Sequence, residues 1–133
     1  MSECIFCDIV NNQISSWIIY QNKELISFLP ISPEVYGHTI IAPKQHITDI
    51  YTAPESILES MMVVSKKLAI HYKNKICATG INILHASGTS AQQSILHFHL
   101  HLIPRFDNDG LNTWPGFPTS SFDKDEMIKK LRL

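Results

Sequence analysis

Long apolar runs are missing from this chain of 133 residues. No stretch approaches the roughly 18 uninterrupted apolar residues that cross a bilayer, so no membrane helix is expected. An excess of positive charge is missing too: 11 Lys and Arg stand against 12 Asp and Glu, a net charge of −1. Binding a polyanion needs a basic face, so nucleic acid is not an expected partner; a small phosphorylated ligand needs only a few local donors and stays open. Glycine is scarce at five residues, and neither G-x-x-x-x-G-K-[ST] nor G-x-G-x-x-G occurs. The usual Gly-rich cradle for phosphate at a helix start is therefore excluded. Cysteine is rare and odd in number, three residues, which does not make a disulfide framework. The opening Met1-Ser2-Glu3-Cys4 lacks the basic-then-apolar pattern of a secretion signal, so a cytoplasmic location is expected. In that setting the C-x-x-C spacing of Cys4 and Cys7 reads as metal binding rather than a disulfide.

What is present suits one globular domain spanning residues 1–133, with enough apolar content (44%) for a core without staples. Trp17–Tyr20 and Leu25–Leu29 are β-type runs around a four-residue polar connection and predict a hairpin, which Pro30 and Pro33 terminate. His38–Ala42 predicts a third strand between Gly37 and Pro43. Thr52-Ala53-Pro54-Glu55 has the form of a helix start, with Thr52 as the cap. Ile57, Met61, Val64, Leu68 and Tyr72 then draw one apolar stripe on a helix reaching about Lys73. Gly80–Leu84 predicts a buried strand, Ile95–Ile103 another closed by Pro104, and Asp123–Leu131 a short last helix. Gly110–Pro118, with Trp114 and Phe117, is expected to be a packed loop. Strands in hairpin order with two helices give an α+β fold with a mainly antiparallel sheet.

The densest chemical signal is His97-Phe98-His99-Leu100-His101. Alternation along a strand sends the three imidazoles to one face and Phe98, Leu100 and Leu102 to the other. With the apolar set in the core, the histidines line an exposed or cleft-facing surface. Two chemistries can use such a row. Two or three imidazoles can bind one zinc ion and activate water. Alternatively, a neutral imidazole nitrogen can attack phosphorus and split one hard displacement into two, provided its other nitrogen is oriented and donors meet the phosphate oxygens. Gln93, Ser94 and the backbone around Gly88 lie just upstream as candidate donors.

With this run, and with Cys4-Ile5-Phe6-Cys7-Asp8-Ile9, Gly37-His38, Pro43-Lys44-Gln45-His46-Ile47, Gln93-Ser94 and Pro104-Arg105 in order, the chain resembles the histidine triad (HIT) family over nearly its whole length. The resemblance implies a five-stranded antiparallel sheet with two helices, dimerising into a ten-stranded sheet. It implies a nucleotide hydrolase or transferase acting at a nucleoside α-phosphate, of a phosphoramidate or a dinucleoside polyphosphate, through a nucleotidyl-histidine on His99. His101 would bind phosphate oxygens, Ser94 would protonate the leaving group, Gln93 would contact phosphate, and His38 would support the nucleophile. Ile5, Phe6, Ile9 and Phe28 fall where the family builds its base pocket, although composition alone reads them as ordinary core. The zinc-containing bacterial-type branch places a structural ion between residues matching Cys4, Cys7, His46 and His97; the alternative is a pair of free thiols.

Three positions depart from the family pattern. Pro30 replaces an Asp that bonds the ribose hydroxyls, and proline offers neither a side-chain acceptor nor an N–H. Ala86 replaces an Asn that contacts phosphate, and Gln92 a small Gly of the phosphate loop. Both Pro30 and Ala86 keep open a second reading, a non-catalytic nucleotide-binding or scaffolding dimer. Of the remaining candidates, Cys77 is expected to be a buried apolar residue and His71 to lie at the exposed end of the long helix. His85 is expected at the surface beside the phosphate loop, and Arg105 either approaches a phosphate or caps a strand end.

Overall fold

The computed structural model describes residues 2–114, 116–118 and 120–133. Five strands, β1 (Ile18–Gln21), β2 (Leu25–Phe28), β3 (Thr39–Pro43), β4 (Gly80–Leu84) and β5 (Leu100–Arg105), form one antiparallel sheet in the order β1-β2-β3-β5-β4. Three helices accompany them: α1 (Ile5–Val10), α2 (Glu55–Ile76) and α3 (Lys124–Leu131). The architecture is the antiparallel α+β sheet that the strand pattern implies.

β2 and β3 are buried along their whole length, Ser27 and Thr39 included, because both faces of the sheet are covered. Leu25 and Ile41 point to one face, where Ile57, Met61, Val64, Leu68 and Tyr72 of α2 complete the larger core. Ile26, Phe28, Ile40 and Ala42 point to the other, against Phe6 and Ile9 of α1. The i, i+3, i+4 stripe of α2 is thus the buried stripe, as its periodicity requires.

α1 is the helix that the sequence pattern does not announce. It is six residues long, and its N-cap Cys4 makes no side-chain cap bond. Asp8 supplies the fastening instead: its Oδ1 accepts from Ser2 N–H at 2.7 Å, and its carbonyl accepts from Gln13 N–H at 2.8 Å. By covering the second face, α1 turns a would-be solvent face into a lined cavity.

Several boundaries differ from expectation for identifiable reasons. Thr52 does not cap α2; its hydroxyl bonds to Asp49, and the N-cap is Pro54 in extended conformation. The helix runs on to Ile76 and stops where Cys77 takes a left-handed conformation (φ 58°). That conformation puts Cys77 at an exposed helix end, not in the core as expected. Strand pairing of the triad segment begins at Leu100 rather than Ile95, and Pro104 lies inside β5 rather than after it. β3 pairs with β5 only from Leu100 to Leu102, so at Pro104 the strand has β4 alone as neighbour and a missing N–H is tolerated. Trp114 and Phe117 are about three-quarters exposed, 74% and 75%, so neither aromatic packs against the body, although half-buried Leu111 and Thr113 are tied to it through Arg105 and Asn82. Every residue of α3 is exposed; Asp123 caps it by accepting from Asp125 and Glu126 N–H.

Candidate active site and metal centre

The triad keeps its alternation although its first half lies outside the ladder. Phe98, Leu100 and Leu102 enter the α2-side core, while the imidazoles turn to the α1 side. The rings of His99 and His101 approach to 5.0 Å between centroids, and the Phe6 ring stands edge-on to His97 (5.7 Å) and His99 (5.1 Å). Of the two expected settings, exposed or cleft-facing, the second holds for His99 and His101, which line a cavity; His97 is fully buried and His99 only 8% exposed, because α1 lies over them.

Backbone groups dictate which nitrogen of each ring carries the proton. A carbonyl only accepts, so His99 Nδ1–H donates to His97 O at 2.7 Å and leaves Nε2 with its lone pair. Among the described residues Nε2 has no hydrogen-bond partner. An amide N–H only donates, so His38 Nδ1 accepts from Glu34 at 3.1 Å and the proton sits on Nε2. That proton is given to His101 Nδ1 at 2.9 Å, which puts the remaining proton of a neutral His101 on Nε2. His97 follows the first pattern: Nε2–H donates to Pro43 O at 2.8 Å, and Nδ1 is left free to ligate.

All four rings are held below the ordinary histidine range, chiefly by burial. For His101 the value falls to about 4, with His99, His38 and His85 adding repulsion to the burial penalty. For His99, burial and nearby His85 outweigh the bond to His97 O. His38 and His97 are shifted down for the same first reason. The cluster is thus a set of neutral rings near pH 7, one with a bare lone pair and one with an N–H.

Ile5, Phe6, Ile9 and Phe28 line one cavity of about 260 Å³ together with Ser94, His99 and His101. They do this while also packing in the smaller core. The Ser94 hydroxyl has no hydrogen-bond partner among the described residues, and Ser94 lies at the boundary between this cavity and a second one beside Cys4, Cys7 and His46. Gln93 is differently occupied: its Oε1 accepts from Gly88 N–H, and its Nε2 donates to Thr48 O and Ile95 O. In this conformation it shapes the loop rather than reaching into the cavity.

Cys4, Cys7, His46 and His97 present their ligand atoms within 4.8 Å of one another. His97 Nδ1 lies 3.4 Å from Cys4 Sγ and 3.6 Å from Cys7 Sγ, and His46 Nδ1 lies 3.3 Å from Cys7 Sγ. A tetrahedral zinc ion with bonds of about 2.3 Å to sulfur and about 2.0 Å to nitrogen has S···N edges of roughly 3.5 Å, so the donor set fits that ion. Burial, then the neighbouring Cys4, pushes the Cys7 thiol up to about 11, and a cation would displace its proton. The nitrogens of His99 and His101 are directed elsewhere, so the triad does not form a three-imidazole metal site.

The HIT domain family model matches residues 11–108. The chain belongs to the histidine triad family. A HIT-like protein of Borreliella burgdorferi is 38% identical over 112 residues, covering 83% of this chain and 81% of the relative. Adenosine 5'-monophosphoramidase of Saccharomyces cerevisiae is 37% identical over 127 residues, covering 95% and 77%. The crystal structure of a zinc-bound histidine triad protein from Mycobacterium smegmatis superposes with a TM-score of 0.80 at 30% identity, covering 98% of this chain and 91% of that one. The Cys/His cluster of this HIT chain fits the zinc-containing branch.

The positions where the chain departs from the HIT pattern take definite places. Pro30 is in the cavity wall. Gln92 occupies the left-handed region (φ 67°) just after the 3₁₀ turn Thr89–Ala91, a conformation that favours glycine. Arg105 lines neither cavity at the site: it donates to both carboxylate oxygens of Asp109, to Asn82, to Thr113 and to Leu111 O, and so fastens the segment after β5. His85 is not free at the surface; Nδ1 bonds His99 O at 2.9 Å and Nε2 meets the Ser87 hydroxyl at 2.6 Å. Ile14, Trp17, Ile40 and Ile95 complete the apolar wall. No motif marks them, because apolar residues folded onto a ligand space look in sequence like any other core.

Proposed function

We propose that the protein cleaves phosphoramidates or anhydrides at a nucleoside α-phosphate, with His99 as nucleophile. The observation that carries this is the unpaired Nε2 lone pair of a neutral, buried His99 on the wall of an apolar cavity. The name of the yeast relative, a monophosphoramidase, supports the reaction class.

Nε2 forms a bond to phosphorus as the bond to the departing amine or phosphate breaks, giving a nucleotidyl-histidine. Nδ1–H, tied to His97 O, holds the ring in the attacking tautomer and steadies the charge it acquires. His101 presents Nε2–H to a phosphoryl oxygen, a role that His38 secures by occupying Nδ1. Ser94 gives a proton to the leaving group and regains one from the water that then attacks phosphorus and frees His99. Gln93 holds the phosphate loop in shape. Ile5, Phe6, Ile9 and Phe28 take up the base.

Cys4, Cys7, His46 and His97 would hold a structural zinc ion that pins α1 against the triad segment. With four protein ligands and no open position, that ion would be structural and would supply no chemistry to the reaction. The homodimer, read as joined through β4, is supported by the family pattern and by β4 being a sheet edge with Ile83 and Leu84 exposed. The expected place of work is the cytoplasm.

The test is turnover of a panel of nucleoside phosphoramidates and dinucleoside polyphosphates. His99→Ala is expected to fold and to lose at least about a thousandfold in kcat. Trapping an acid-labile nucleotide adduct on the wild type alone would support the covalent step. Wild-type turnover in His99→Ala would overturn the assignment, and tight binding without turnover by the native protein would favour a binding dimer.

A further inference from the structure

The β4–β5 ladder ends at the pair Leu84 and His101. His99 therefore lies beyond it, and β3 pairing also begins only at Leu100. The nucleophile sits just outside both ladders, where neither neighbouring strand supplies a ladder bond to its carbonyl. A side chain does so instead: His85, the first residue past β4, donates Nδ1–H to His99 O at 2.9 Å. The donating ring is itself secured. Its face packs on Phe98 with centroids 4.5 Å apart. In the neutral ring Nε2 accepts from the Ser87 hydroxyl at 2.6 Å, and that oxygen accepts from Ile50 N–H at 2.9 Å. Neither His85 nor Ser87 lines the cavity, so neither meets a ligand there.

We propose that His85 is a positioning residue for the reaction at His99, its Nδ1–H replacing the missing ladder bond and fixing the peptide plane that aims the imidazole. The inference rests on the function proposed above. With the carbonyl unheld, the plane between His99 and Leu100 can tilt, and the ring moves with the Cα it hangs from. A misaimed nucleophile loses rate in the chemical step while the apolar pocket still binds substrate.

Asparagine and glutamine separate this from a general stabilising role. An Asn side-chain N–H overlies imidazole Nδ1, and a Gln N–H overlies Nε2. Full-length His85→Asn, His85→Gln and His85→Leu would be assayed on adenosine 5'-phosphoramidate, with thermal unfolding measured in parallel. The Gln and Leu variants are expected to lose about 10- to 100-fold in kcat. Their KM should stay within about twofold, and the Asn variant should keep kcat within about threefold of wild type. Both polar variants should unfold at similar temperatures, since each keeps one of the two bonds. Equal kcat in the Asn and Gln variants, or kcat tracking unfolding temperature across all three, would overturn the proposal. A wild-type protein inert on this substrate would count against the proposed function instead, and the clamp would then be read from nitrogen-15 spectra of the His99 ring. There the wild type and Asn variant should show a single Nδ1–H tautomer and the Gln and Leu variants a mixture; four identical spectra would refute the clamp.

Discussion

Acid should attack this fold through His101, and the effect can be sized. The ring is held to about 4 against an ordinary 6.5, by burial first and then by His99 on its own segment, His38 just before β3 and His85 beyond β4. The folded value lies below the unfolded one, so between the two the unfolded chain binds more protons. The contribution is complete above about pH 6.5 and is lost as pH falls toward 4. Between pH 7 and pH 5 this one group removes about 2 kcal/mol, a large share of a typical domain's stability. His101→Asn deletes the titration while leaving an amide oxygen where Nδ1 accepts from His38 Nε2–H. Urea unfolding of both proteins at pH 7, 6 and 5, at one fixed zinc concentration, isolates the group because other protons cancel in the comparison. The wild type should lose about 2 kcal/mol more than the variant over that interval. Parallel lines for the two proteins would refute the reasoning, because a ring free to protonate in the fold gives no such slope.

Gly37→Ala should destabilise by about 2–4 kcal/mol, read from urea midpoints. Its φ is +84°, and a Cβ there would stand 2.9 Å from Pro104 Cγ and 3.2 Å from Ile76 Cδ1; a loss below about 1 kcal/mol would contradict the close approach. Protein purified without chelator should carry one zinc per chain, and Cys7→Ser should lose it and melt earlier while turnover per folded molecule stays within about tenfold of wild type. Immediate loss of turnover on chelation, with circular dichroism unchanged, would move the metal into the reaction. Because Pro30 offers the cavity no side-chain acceptor, ribose and 2'-deoxyribose substrates should differ by less than about threefold in kcat/KM. A hundredfold preference for ribose would reveal an acceptor other than residue 30.

The sheet, the long helix and the triad alternation were legible because each rests on a repeating pattern. Ile57, Met61, Val64, Leu68 and Tyr72 repeat at helical spacing and are buried together. His97, His99 and His101 share a face because Phe98, Leu100 and Leu102 need the other. The juxtaposition of the four candidate sulfur and nitrogen ligands was legible through residue types and a family pattern, although they come from three separate segments. α1 was not legible: six residues are too few for periodicity, and its fastening by Asp8 depends on a turn back to Ser2. That omission left the histidine face undecided between exposed and cleft-facing, since only α1 closes it into a cavity. His85 was hidden for another reason. Its partner is a main-chain carbonyl, and no side-chain pattern encodes which carbonyl a ladder leaves unpaired.

His97 serves two centres through different atoms, and this governs what mutagenesis can separate. Its imidazole Nδ1 faces Cys4 and Cys7, with Nε2–H anchored on Pro43 O. Its main-chain carbonyl, not its side chain, sets the tautomer of His99. The peptide between them is held by Phe98 N–H to Ile47 O at 2.5 Å, one residue after the ligand His46. A metal ion held by Cys4, Cys7, His46 and His97 would therefore fix both ends of the short path from Ile47 to His97, and with it the direction of the carbonyl that orients the His99 ring. Replacing His97 removes a ligand and disturbs that carbonyl together, so a loss of turnover there would say nothing about which one mattered. Cys4 and Cys7 touch only the metal side. Their variants alone report how much of the His99 geometry the cluster maintains, as distinct from the bond that the backbone makes without it.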